Sequence, residues 1–178
     1  SGSDISESNQ SSAETPEAKT SQVEQIDLDD PETLDEIIAG ATVGDELEQR
    51  GKEGEGLSYA RNEQKPYTGW NVIFHDNGQI KYLVQYKDGK YDGLWVRWFE
   101  NGQKNLEENY KDGELHGLVT VWYDNGQKKW EGNWKDGKKV GLQTGWYENG
   151  QKRKEVTYKA GKKISEKQWD EDGNPMGQ

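Results

Sequence analysis

Catalysis in a chain without cysteine has few sources, and histidine is the first to consider. His75 and His116 are the only imidazoles among 178 residues, and no thiol is present to act as nucleophile or metal ligand. A triad-type base needs a serine and a carboxylate within hydrogen-bond reach. Neither histidine has such a pair near it in sequence, so both read as structural or surface residues. Asp88, Asp112 and Asp136 could supply carboxylate chemistry, but each sits in a recurring Lys-Asp-Gly triplet. Aspartate before glycine is turn chemistry. A glycosidase needs two unlike carboxylates at a set separation, not one carboxylate per repeat. Asp170-Glu171-Asp172-Gly173-Asn174 resembles a calcium loop. Its alternating acids are incomplete, and no closing bidentate Glu follows. No catalytic, cofactor-binding or metal-ligating set is expected, which argues against an enzyme.

Rings are the other chemical resource. Leu, Ile, Val and Phe together make 28 of 178 residues, or 16%. A value below about 20% with high net charge ordinarily reads as disorder. Eight Trp and nine Tyr oppose that reading, because chains that fail to fold are poor in aromatics. The core must therefore be built largely from rings. Rings left over could stack on sugars or hold quaternary ammonium groups. Residues 128–167 hold 12 Lys or Arg against 5 acids. A solvated sheet face with edge lysines is the leading reading of that stretch. An anionic lipid, polymer or protein partner comes next, and single-stranded nucleic acid last.

What positions these residues is a repeat. Asn-Gly-Gln occurs at 77–79, 101–103, 125–127 and 149–151, always 24 residues apart. Lys-Asp-Gly occurs at 87–89, 111–113 and 135–137, and Lys159-Ala160-Gly161 continues the series. Gly69, Gly93, Gly117 and Gly141 keep the same step, as do Phe74, Trp98, Trp122, Trp146 and Tyr86, Tyr110, Trp134, Tyr158. Each unit reads as strand, Asn-Gly turn, strand, Lys-Asp-Gly turn, with Asn-Gly as a tight hairpin signal. A unit of this size cannot bury its own apolar face, so units must stack and the ends must differ. The expectation is an all-β, antiparallel β-hairpin repeat array of roughly ten strands. It is an open meander or twisted single-layer sheet, with a short capping helix and a disordered leader.

The unit resembles the MORN-repeat variant. Gly93-Leu94-Trp95, then Trp98-Phe99-Glu100-Asn101-Gly102-Gln103-Lys104, then Asn109-Tyr110-Lys111-Asp112-Gly113 carry the resemblance. The unit from Gly117 to Lys139 and the entry segment Pro66-Tyr67-Thr68-Gly69 match as well. The resemblance covers roughly residues 66–164. It implies a bacterial, non-catalytic scaffold or binding module, with protein contact favoured and no cofactor. A frequent label for such proteins is YwqK-type antitoxin, which implies an inhibitor of a partner protein. Lipid binding is proposed for some arrays, and a lipid- or glycan-binding surface module is a third reading. A monomer is expected.

Period-2 alternation assigns faces. Leu94, Val96, Trp98, Leu106 and Tyr110 share one face in this reading, with Leu118, Thr120, Trp122, Trp130 and Trp134 in the next unit. Glu107, Glu131 and Glu155 are placed opposite. That opposite, freer face is expected to carry the recognition surface: Trp95, Phe99, Tyr123 and Tyr147, beside Arg97, Lys129 and Arg153. Rings next to cations are typical interface anchors. The competing reading is that these rings only pair across strands and stiffen the sheet.

Residues 1–56 contain no aromatic and carry 16 acids against 3 bases, whereas residues 57–178 carry 18 against 20. The net charge of −11 therefore belongs to the leader. Residues 1–30 are expected to be a disordered acidic tether, 31–56 a short helix and linker, and 57–178 the array. Units start near 69, 93, 117 and 141, with a partial unit over 165–178. Asp30 is the expected N-cap and Pro31 the first helical residue. Leu34, Ile37, Ile38 and Ala41 form one narrow apolar stripe, with Gly40 and Gly44 as terminators. Ser1-Gly2-Ser3 without an initiator Met reads as an expression remnant. The expectation is a removed signal peptide and an exported or membrane-tethered protein rather than a cytoplasmic one.

Overall fold

The computed structural model describes residues 26–44, 46–51 and 56–177. Helix α1 (Pro31–Gly40) and the short β1 (Thr42–Val43) come first, then a hairpin of β2 (Leu47–Arg50) and β3 (Leu57–Ala60). The array follows as β4 (Gly69–Phe74), β5 (Ile80–Lys87), β6 (Lys90–Trp98) and β7 (Lys104–Lys111). The next strand breaks at His116 into β8 (Glu114–Leu115) and β9 (Gly117–Trp122). Then come β10 (Lys128–Lys135), β11 (Lys138–Trp146), β12 (Lys152–Lys159), β13 (Lys162–Trp169) and β14 (Pro175–Met176). Twelve of these strands form one open sheet, with β2 and β3 forming a second, two-stranded one. The sheet is an antiparallel meander except at β1, which runs parallel to β4 through Thr42↔Asn71 and Val43↔Val72. Asn71 holds β1 there by donating Nδ2 to the carbonyls of Thr42 and Gly44, each at 3.1 Å. The segment expected to be a linker thus contains a parallel edge strand and the first strand of a hairpin, whose second strand, β3, opens the segment expected to be the array.

The two turn types divide their work. At Lys-Asp-Gly, Asp112 (φ 51°) and Gly113 (φ 89°) are both left-handed, the two-residue hairpin geometry. At Asn-Gly only the glycine has positive φ, 82° at Gly102. Gly102 N–H donates to the Phe99 carbonyl at 3.0 Å, and Phe99 N–H to the Gln103 carbonyl at 2.8 Å. This is the three-residue loop closed by a left-handed glycine, not the two-residue turn expected. Asn101 does two jobs in it: Oδ1 accepts from Gln103 N–H, and Nδ2 donates to the Asp124 carbonyl of the next unit, each at 3.0 Å. Asn77, Asn125 and Asn149 repeat the contact.

One residue beyond each loop the register slips. Trp98 pairs with Lys104 but Arg97 pairs with Leu106, leaving Asn105 as the extra residue. Lys81, Lys129 and Arg153 are the extra residues of the other three hairpins. A one-residue bulge moves every later side chain of the return strand to the other face. This overturns the face assignment made from alternation. Val96 is opposite Glu107, so Glu107, Glu131 and Glu155 share the face of Val96 and Trp98. Leu106 is opposite Arg97, so Leu106, Tyr110, Trp130 and Trp134 lie on the other face.

Helix α1 covers the first of these faces, here the cap face. Asp30 caps it, its carboxylate accepting from Thr33 N–H at 3.0 Å and Thr33 Oγ1 at 2.6 Å. Those bonds hold the Asp30 carboxyl below its ordinary value. Gly40 is the last helical residue, whereas Gly44 ends β1 by donating to the Val72 carbonyl. Leu34, Ile37, Ile38 and Ala41 pack on the buried cluster of Val72, Leu83, Val96, Trp98 and Leu28. Leu28 is 6% exposed, so the packed part of the chain begins before residue 31. Residues 1–25 of the expected tether lie outside the described residues.

Sequence explains why only the first unit takes the cap. Ile80 and Leu83 become Lys104 and Glu107, then Lys128 and Glu131, then Lys152 and Glu155. Lys104 bridges Asp29 at 3.0 Å and Glu107 at 3.2 Å where the cover ends. Burial works against its charge, but those two carboxylates outweigh it and raise the Lys104 ammonium above its ordinary value. Later units keep only the Lys–Glu pair, a solvated version of the same position.

Candidate functional site

On the far face, the rings are half-buried and in contact. Tyr67, Tyr86, Tyr91 and Tyr110 form a run with centroids 5.9, 5.1 and 5.3 Å apart. Tyr82 and Trp95 stand 5.3 Å apart, and Trp130 and Trp134 4.9 Å apart, edge to face. The last ring of each return strand has a glycine opposite, as Gly93 faces Tyr110 and Gly117 faces Trp134. The ring–ring contacts contribute about 0.5–1.5 kcal/mol each beyond area burial. Burial pushes the Tyr86 hydroxyl up, with Tyr91 adding to it. Burial also pushes up Tyr110, helped by its 2.9 Å bond to Glu108. These rings stay neutral near pH 7 and offer apolar faces with hydroxyl donors.

The seven residues predicted from sequence do not gather at one spot. Trp95 and Arg97 lie on the far face, Trp95 between Val84 and Glu108, and Arg97 Nε donating to Asn105 Oδ1. Phe99, Tyr123 and Tyr147 each open an Asn-Gly loop and line one edge of the sheet. The hydroxyls of Tyr123 and Tyr147 donate to the carbonyls of Trp146 and Trp169, both at 2.9 Å. His75, in the same column, places Nε2 3.1 Å from the Trp98 carbonyl. Lys129 and Arg153 are bulge residues; Lys129 Nζ sits 5.2 Å over the Tyr123 ring. Sequence reasoning passed over Tyr82, Tyr91 and Val121 as surface residues. Tyr82 follows the Lys81 bulge, which sets its face, whereas Tyr91 and Val121 stand on outgoing strands at positions that alternate with the core residues.

The titratable candidates are taken up by the next turn of the array or by their own loop. His116 Nδ1 lies 3.2 Å from Asp136 Oδ1, a contact one turn further along the array that local sequence hides. Asp92, its counterpart, accepts from Asp112 N–H at 3.0 Å. Asp170 Oδ1 accepts from Asp172 and Asn174 N–H groups, and these bonds, with Asn174 Nδ2 foremost, hold its carboxyl low. Among the described residues, no group of three His, Asp or Glu converges as a metal site would require.

A family model for the MORN repeat variant matches residues 72–88, 91–112, 115–136 and 139–160. The chain belongs to the MORN-repeat-variant family. The successive full matches begin 24 residues apart, at 91, 115 and 139, the step set by the turn columns. No curated protein matches the chain. MORN-variant repeats are non-enzymatic modules that bind proteins or membranes. In this member the Asn-Gly turn ladder ties each unit to the next.

Proposed function

We propose that this MORN-variant protein is a scaffold whose far face mediates protein–protein contact. The observation that supports it is the linear series of half-buried rings, Tyr82–Trp95, Tyr86–Tyr91–Tyr110 and Trp130–Trp134, on one face of an open sheet. The one helix among the described residues packs at β4, on the other face. Rings with polar tips are favoured at protein interfaces. Evenly spaced units suit an extended partner better than an enclosed small molecule. Trp95 and Arg97 belong to this surface. Phe99, Tyr123 and Tyr147 belong to the edge that stiffens it.

A photo-crosslinking residue distinguishes the faces. Placed at Val121 on the far face, it is expected to give a discrete protein adduct in the native cells, lost when Trp95→Asp is added. Placed at Thr144 on the cap face, it is expected to give none. Adducts from Thr144 alone, or far-face adducts only with lipid, overturn the reading.

A further inference from the structure

At one place the far face departs from its own repeat. Gly132 stands where sibling units have Val84, Glu108 and Val156. Gly145 stands where they have Ile73, Arg97 and Val121, and Gln143 where they have Asn71, Trp95 and Val119. Neither Gly132 nor Gly145 has a positive φ, so no turn demands them. Glycine in an ordinary strand marks a close approach. The approaching groups are the Gln143 amide and the Trp130 indole. A β-carbon on Gly132 would collide with Gln143 Oε1 and stand 2.7 Å from Trp130 Cη2, and one on Gly145 would touch Trp130 Cδ1 at an ordinary 3.8 Å. Lys139 Nζ stands 5.3, 5.7 and 6.0 Å from the ring centroids of Tyr158, Trp134 and Trp130. The result is a cleft of about 210 Å³ lined by Trp130, Lys139, Gln143, Arg153, Lys154 and Tyr158.

Two features of this cleft are unsatisfied. Gln143 is 3% exposed, and its Nε2 donates to the carbonyls of Asn133 at 3.0 Å and Val140 at 3.2 Å. Its Oε1 is buried with no donor, packed against Gly132 beside the Trp130 indole, which is destabilising. Lys154 is paired with Glu166 at 2.7 Å. Lys139 and Arg153 take part in none of the ion pairs among the described residues.

We propose that this cleft binds an acidic peptide segment of the partner protein. Carboxylates meet Lys139 and Arg153, and the flat peptide unit lies against the Trp130 indole. A phosphate brings charged acceptors only, whereas a peptide carrying Asp or Glu brings carboxylate and flat amide units together. Nucleic acid needs a cationic groove that tracks several phosphates, and this cleft is short. The inference rests on the scaffold reading and specifies the partner's chemistry.

The test uses the full chain and capped hexaglutamate as probe, read by the NMR shift of the Trp130 indole N–H, assigned with Trp130→Phe. A saturable shift is expected. Lys139→Ala with Arg153→Ala should weaken it about tenfold. Lys162→Ala with Lys167→Ala, an equal charge loss on β13, should change it less than about twofold, as exposed charges contribute little. If the alanine pair does not fold, Lys139→Gln with Arg153→Gln replaces it. No saturable shift, equal weakening by both pairs, or tighter binding of hexathymidylate or phosphatidylserine vesicles overturns the proposal. Should hexaglutamate fail while the Val121 adduct persists, the acidic-peptide inference falls and the scaffold stands. Loss of the adduct with hexaglutamate still bound rejects the scaffold instead.

Discussion

The Tyr123 hydroxyl donates to the carbonyl oxygen of Trp146 at 2.9 Å, crossing from one unit to the next. Tyr147 does the same to Trp169, and Phe99 is the member of the column with no hydroxyl to offer. A half-buried hydrogen bond contributes about 0.5–1.5 kcal/mol net. Tyr123→Phe and Tyr147→Phe should each lose about that much in urea denaturation. Phe99→Tyr should gain a comparable amount by reaching the Trp122 carbonyl. No loss in the first two variants would detach this column from array stability.

The cap is the second point of leverage. Leu28 lies in the same buried cluster as Leu83 and Val96, both fully enclosed. Leu28→Ala should cost about 2–5 kcal/mol, as large-to-small changes in cores do. Val43, 50% exposed on β1, should tolerate alanine within about 0.5 kcal/mol. Equal effects from the two substitutions would mean that residues before α1 contribute nothing to the packed cap.

Much of this architecture was legible in sequence because turns are local. The Asn-Gly and Lys-Asp-Gly columns fixed the period, and Asp30, Pro31 and the Leu34–Ile37–Ile38 stripe located the helix and its apolar side. Face assignment failed because it depends on one extra residue per hairpin. Asn105 and its counterparts share no residue type that marks a bulge, being Lys81, Lys129 and Arg153 elsewhere. Leu28 was hidden by the acids around it, whose charge suggested a tether. The parallel pairing of Thr42–Val43 was invisible because its anchor, Asn71, lies 29 residues from Thr42. At the candidate site, Trp95 and Arg97, placed on one face by alternation, do share the far face, where both are half-buried. The cleft at Trp130 was not legible, since glycines at 132 and 145 signal it only after registers align them.

Acid sensitivity should concentrate at the end of the array. The Glu166 carboxylate accepts from Lys154 at 2.7 Å and Lys163 at 2.6 Å. Lys154, then Lys163 and Gln168, lower it from 4.5 to about 2. A depressed carboxyl stabilises the fold above its unfolded value and loses that contribution as pH falls toward the folded one. The melting temperature of the wild type should therefore exceed that of Glu166→Gln at pH 6, with the gap closing between pH 4.5 and about 2. A constant gap across that window would assign the difference to packing instead of charge. Solvent exposure keeps the amplitude small.

Ala160 breaks the turn column in the opposite sense, by lacking what its siblings have. Its φ is 49°, matching 48° at Asp88, 51° at Asp112 and 49° at Asp136. A β-carbon in the left-handed region costs about 1–2 kcal/mol, and Asn or Asp ease this by local hydrogen bonding. Ala160→Asn should therefore raise stability by about 0.5–1 kcal/mol. Ala160→Gly removes the same strain but frees the unfolded chain by about 0.4–1 kcal/mol, so its net gain should be smaller. Ala160→Val, branched at the strained centre, should be the least stable of the set. Thermal melts of the four proteins rank them directly. An asparagine variant no more stable than the parent, or a valine variant equal to it, would show that the last hairpin relaxes its turn and that the left-handed geometry is not enforced there.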